Sequence, residues 1–296
     1  MDEPFATLFS KRWGWLTIWG ICFCGFLLLV LVMVVAKVHP WSDIDPTRIT
    51  WYHQEECEQV TPTSFLLQVF NFWSNFAYLA AGLLIVWLST SHIGRLVGVV
   101  FIMLAIGSGW FHGTLTEFGQ TVDIVGVYAA LAALIAYAIV ELFEMDDVFW
   151  PLDQISFPVL GLLLGCLVLS VVAGILRGAV GFFKSDYFTP MLVIILFVYM
   201  VVLIWKSSNG VALVVHLLIT VAIGVLALIF KFTDGDDNGL AKHHGDFAQC
   251  SYSPGGLIQG HALWHILSAL MFVLMFEYIR YVRERSQSVF PWRVEN

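Results

Sequence analysis

The sequence predicts an all-α integral membrane protein, and three observations carry that expectation. Of 296 residues, 59% are hydrophobic and only 12% are charged, about half the charged share of a soluble domain. The apolar residues gather in runs of about 20, the length at which a helix crosses a hydrocarbon core of ~30 Å. Those runs lack the two-residue alternation of barrel strands. The same composition excludes other classes. A soluble enzyme of this size needs far more polar surface. A disordered chain lacks the material for a core, which is plentiful here. A net charge of −8 has the wrong sign for nucleic acid.

Eight runs qualify: residues 15–36, 65–89, 94–113, 119–142, 154–176, 187–205, 210–230 and 257–280. Lys11 and Arg12 precede the first, as in a signal peptide. Its 22 uncharged residues are too many for an ordinary signal core, and no small-residue cleavage site follows. It therefore reads as a retained span. The fifth to seventh runs are Leu, Val and Ile with small residues, which suits lipid contact and helix packing. His216, alone in the seventh, reads as a hydrogen-bonded packing residue.

Eight spans place both termini on one side. That side carries eight basic residues against six on the other, with Arg280, Arg283, Arg285 and Arg293 clustered beyond the last span. The excess of positive charge marks it as cytoplasmic. The two long hydrophilic stretches, 37–64 and 231–256, then lie on the opposite side. The string Asp234-Gly235-Asp236-Asp237-Asn238-Gly239 resembles the start of a calcium loop but lacks the closing Glu, and reads as an acidic turn. Cys57 and Cys250 lie in these two stretches and can form a disulfide in an oxidising compartment. Cys22, Cys24 and Cys166 fall inside spans and read as packing residues.

In so apolar a chain, each polar residue within a span needs a reason. Three clusters stand out. Ser108 and His112 are four apart near the end of the third span, on one helical face. Alone, the pair is explained as well by a serine bonding its own backbone and an interfacial histidine. Asp123 begins the fourth span, where a carboxylate beside apolar sequence is costly and the helix N-terminus offsets part of the cost. It can equally be a plain helix-start acid. His261 and His265, at the start of the eighth span, project two imidazoles from one face. A shared metal explains them, and two separately hydrogen-bonded histidines are the alternative.

Alternation of the spans brings all three clusters to one membrane face, whichever side that is. His112, His261 and His265 then supply three nitrogens to zinc with a fourth position left open, the pattern of catalytic zinc sites. Asp123 can take a proton from water and return it to a leaving amine. Ser108 can donate to a developing oxyanion. Bis-histidine haem is the competing cofactor, but it gives Ser108 and Asp123 no role.

These residues resemble the alkaline ceramidase family and, more widely, the CREST superfamily of membrane hydrolases, which includes the adiponectin-receptor-like proteins. The resemblance rests on Ser108-x-x-x-His112, Asp123 eleven residues after His112, and His261-x-x-x-His265 on the last span. The strings Gly107-Ser108-Gly109-Trp110-Phe111-His112-Gly113-Thr114-Leu115, Gly260-His261-Ala262-Leu263-Trp264-His265 and Phe70-Asn71-Phe72-Trp73-Ser74-Asn75 add to it.

The resemblance implies a seven-helix bundle that cuts the amide of ceramide into a sphingoid base and a fatty acid. It implies zinc on His112, His261 and His265, with Ser108 and Asp123 catalytic. The first span becomes an extra helix, giving an N-terminal segment 1–54, a catalytic domain 55–284 and a polar tail 285–296. The resemblance also implies calcium, bound by acids before the first core helix. Glu55, Glu56 and Glu58 supply acids here, but Val60 stands where the family has Asn, and Gln68 stands where it has Glu. Glu55, Glu56, Glu58 and Gln68 are thus candidate calcium ligands, with a solvated acidic loop as the alternative. An esterase or phospholipase of the same superfamily remains open, as does a receptor-like lipid-binding protein with a structural metal. The expected partner is a membrane lipid, ceramide-like in chemistry.

Overall fold

The computed structural model describes residues 58, 60, 65–89, 91–142, 157–177, 180, 185–206, 210–233 and 259–289. Apart from Glu58, Val60, residues 65–68 and short connections, the described residues are helical, with no strand among them. The helices are α1 (Val69–Ser74), α2 (Phe76–Leu88), α3 (His92–Thr114), α4 (Glu117–Leu142), α5 (Phe157–Leu176), α6 (Ser185–Lys206), α7 (Gly210–Thr233) and α8 (Gly260–Val289). α1 and α2 meet at Asn75, which is itself right-handed helical, so together they form one apolar stretch, Val69–Leu88.

Five stretches are long and apolar enough to cross a membrane: Val69–Leu88, Ile93–Thr114, Glu117–Glu141, Val211–Lys231 and Gly260–Val282. Leu164–Leu176 and Tyr187–Val202 are shorter apolar helical stretches. Each expected span from the second to the eighth thus falls on a helix. The expected first span, 15–36, lies outside the described residues, as do Cys57, Cys250 and the 234–239 turn. Several such helices in one chain make this a multi-pass membrane protein. The eighth run was expected to end near residue 280, but α8 continues to Val289. Apolar periodicity stops there, while backbone hydrogen bonding does not depend on it.

α2 packs on α3, α3 on α4, α4 on α5 and α7 on α8, while α6 packs chiefly against α4 rather than against its chain neighbours. α2 and α3 touch backbone to backbone at Gly82 and Gly98, where a Cβ on either residue would fall 2.6 Å from the other's carbonyl oxygen. Without a hydrophobic drive between helices in lipid, such close approach is what packs them. The core between α2, α3, α4 and α8 is aromatic. Phe101 meets Phe272 edge-on, and Tyr137 stacks on Phe276 with ring centres 5.0 Å apart. Buried hydroxyls find backbone acceptors: Tyr278 Oη donates to Met200 O at 2.6 Å, and Tyr199 Oη donates to Ala138 O.

α5, α6 and α7 line the outside, with exposed Leu167, Ile175, Val198 and Leu218. Arg177 fastens the end of α5 to the first turns of α4, donating to Thr121 Oγ1 at 2.9 Å and Gln120 Oε1 at 3.2 Å. His216 has the packing role expected of it, with Nε2 2.9 Å from Leu274 O on α8. Cys166 is a free thiol, and no disulfide occurs among the described residues.

Candidate metal centre

Three helix ends meet at one end of the bundle. α3 stops at Leu115, which adopts a left-handed conformation (φ 48°) with its N–H bonded to Phe111 O. That conformation costs a non-glycine residue about 1–2 kcal/mol. Burial of the Leu115 side chain against Val60, Leu67 and Phe111 offsets it. The turn is tight, so α4 starts two residues later. Thr116 Oγ1 accepts from Gly119 N–H at 3.1 Å and ties down its first turn.

The last turns of a helix leave carbonyls unpaired. Here the short bent segment before α1 supplies their donors. Leu67 N–H bonds Gly113 O at 3.2 Å, and Gln68 N–H bonds His112 O at 3.0 Å. Gln68 also caps α1 in sequence, so it links the start of α1 to the end of α3. The first N–H groups of α1 are met by Glu58. Its two carboxylate oxygens accept from Phe70 N–H at 2.6 Å and Asn71 N–H at 2.9 Å. A negative charge at that end also suits the helix dipole.

This framework holds three imidazoles together. His112, His261 and His265 each offer a nitrogen, and these atoms all lie within 4.8 Å of one another. Ring centres are 5.1 Å apart for His112 and His261, 5.0 Å for His112 and His265, and 4.7 Å for His261 and His265. His112 and His265 are buried, and His261 is half-buried.

Second partners orient two of the rings. Gln68 Oε1 lies 2.7 Å from His112 Nδ1. A carbonyl oxygen only accepts, so Nδ1 carries the proton and Nε2 keeps its lone pair. That Nε2 is buried and makes no hydrogen bond among the described residues. Ser74 Oγ lies 2.7 Å from His265 Nδ1 and donates its one proton to Asn71 O at 2.8 Å. His265 Nδ1 is therefore the donor to Ser74, and its Nε2 also keeps a lone pair. Metal-ligating histidines are held in this way, through the ring nitrogen that faces away from the ion. The donor set fits a divalent metal.

Ser108 is buried one turn before His112 on α3. Asp123 is half-buried in the second turn of α4. Helix register brings them to the same end. Gly107 approaches Val122 so closely that a Cβ would sit 2.9 Å from Val122 Cγ1, which sets the chain neighbours Ser108 and Asp123 at one level. Glu58 and Gln68 have the partners just described, while Glu55 and Glu56 lie outside the described residues.

Sequence reasoning did not single out Ser74 or Tyr78. Tyr78 is buried, with its ring 5.6 Å from His265 and its hydroxyl 2.6 Å from Ser268 Oγ. Ser268 Oγ in turn donates to Trp264 O at 2.6 Å. Asn71, Ser74, Asn75 and Tyr78 form a polar stripe spaced three and four along an apolar span. That spacing was the available signal.

The fold and the site define a class: a multi-pass helical membrane protein with a largely buried three-histidine centre that can hold a metal ion. The chain belongs to the ceramidase family, whose model, described as Ceramidase, matches residues 57–295. No individual curated protein matches it.

Proposed function

We propose that this protein is a zinc-dependent amidase of the membrane that cleaves ceramide-like N-acyl sphingoid lipids into a sphingoid base and a fatty acid. The observation that carries this reading is the three-histidine cluster, with Nδ1 of both buried rings tied to protein partners. Family membership supports an amide bond as the target. Three histidines with an open position suit catalysis rather than a purely structural metal.

His112, His261 and His265 would hold the ion through Nε2 of the oriented rings. When bound, zinc supplies Lewis acidity, which lets water ionise near neutral pH and polarises a carbonyl. The chain's own residues do the rest. Gln68 and Ser74 hold the imidazoles neutral in one tautomer and prevent their rotation. Ser108 Oγ donates to the acyl carbonyl oxygen as charge develops there. Asp123 accepts a proton from the attacking water and delivers it to the leaving amine nitrogen. The scissile amide becomes a carboxylic acid and an amine, and no further reactant is needed.

In this reading the catalytic unit runs over 55–284, both termini face the cytoplasm and the site lies toward the opposite face. Purified protein should contain one zinc per chain by elemental analysis. A ceramide-containing lipid extract should yield free sphingoid base with the wild type and none with His265→Ala. A zinc-free, fully active preparation would overturn the proposal.

A further inference from the structure

Lys231 has no part in the reaction as derived, yet the fold sets it over Trp264, the residue before His265. α7 and α8 run antiparallel in a defined register. His216 meets Leu274 O and the Tyr278 ring, and Gly224 meets Met271, where a Cβ would fall 2.8 Å from the sulfur. At the next step Lys231 meets Trp264, with Nζ 5.1 Å from the ring centre. Trp264 lies between the ligand positions His261 and His265, so the ammonium stands level with the histidine turn of α8.

Lys231 is half-buried in the last turn of α7 and makes no ion pair with a carboxylate among the described residues. It ends the apolar stretch Val211–Lys231, where a lysine reaches toward the membrane interface. The indole face attracts the ammonium but occupies none of the three N–H donors, which are suited to an anion. Hydrolysis of an acyl amide, R–CO–NH–R′ plus water to R–COO⁻ plus R′–NH₃⁺, creates one such anion per turnover at this depth.

We propose that Lys231 is the carboxylate-binding residue of the site, taking the head of a long-chain fatty acid whose chain stays in the bilayer. The choice of fatty acid as ligand rests on the amidase reading, whereas the cation's placement does not. Lysine acts here as a point charge over Trp264, so its charge, not its shape, is the essential feature.

The test is direct binding of a fluorescent polyene fatty acid and of its methyl ester to the full chain in detergent micelles, with zinc content measured on each sample. The wild type should bind the acid about tenfold more tightly than the ester, the scale of one charge-assisted hydrogen bond. Lys231→Met should lose that preference while keeping ester binding and zinc. Lys231→Arg should retain it, and so should Lys206→Met at the far end of α6. Equal affinities in the wild type, or an acid preference that survives Lys231→Met, would overturn the proposal. If Lys231→Met does not fold, the wild-type acid-to-ester ratio and its decline as salt is raised still decide the matter, since a charge-based preference must weaken. Ceramide turnover is assayed separately. An acid preference without turnover would sink the amidase reading and leave the anion site standing.

Discussion

The outward faces of α5 and α7 and the inner faces of α1, α2, α3 and α8 use their polar residues differently. On α5 and α7, hydroxyls bond within their own helix: Ser170 Oγ to Cys166 O, and Thr220 Oγ1 to His216 O. Around them, side chains such as Leu167, Ile175 and Leu218 face outward. On α1, α2, α3 and α8, polar side chains reach across helices. Gln68 meets His112, Ser74 meets His265, and Tyr78 meets Ser268. A hydroxyl that bonds its own turn satisfies itself wherever the helix sits. A cross-helix bond exists only in one register and one rotation. The outward faces therefore tolerate substitution, while Arg177, Tyr199 and His216 fix the register of α5, α6 and α7 and the inner side specifies the geometry of the site.

That contrast can be broken at graded points. The largest effect is expected at a ligand. His265→Ala should abolish stoichiometric zinc and lower ceramide hydrolysis by about a thousandfold or more, read by elemental analysis and product formation on the same preparation. A variant with unchanged zinc would remove His265 from the centre. One shell outward, Gln68→Leu should leave the fold intact and weaken zinc about 10–100-fold, the usual cost of losing a partner behind a histidine ligand. Chelator competition measures it, and wild-type affinity would show that Gln68 does not orient His112.

A smaller effect is expected where the inner side is braced rather than liganded. Glu58→Gln keeps the shape but loses a charged acceptor from two α1 N–H groups, and should cost about 1–2 kcal/mol of stability. A thermal midpoint unchanged from the wild type would contradict the capping role. Smallest of all, Val198→Leu on the outward face of α6 should change stability by no more than about 0.5 kcal/mol. A large drop in thermal midpoint there would mean that the outer side is not the tolerant one.

Much of the site was legible because the bilayer makes polar residues expensive. His112, His261 and His265 stood out in apolar runs, and simple alternation placed them at one end. The structure does bring those three together. Ser74 and Tyr78 went unread although they obey the same rule, since a hydroxyl in a span so often bonds its own backbone. Position in the chain makes Gln68 and Glu58 candidate calcium ligands and says nothing of their partners in the fold: Gln68 Oε1 faces His112, and the Glu58 oxygens accept the first N–H groups of α1. Neither partner is near in sequence: 44 residues separate Gln68 from His112.

By itself the sequence determined the class of protein, the positions of the helices and the side-chain types that gather at one end. Those follow from composition, run length and alternation, which are properties of a chain read in one dimension. Only the tertiary structure decided which ring nitrogen each buried histidine presents, what braces it, and that Lys231 stands beside Trp264. Those depend on how each helix is rotated and shifted against its neighbours, which close contacts such as Gly82 with Gly98 and Gly107 with Val122 settle.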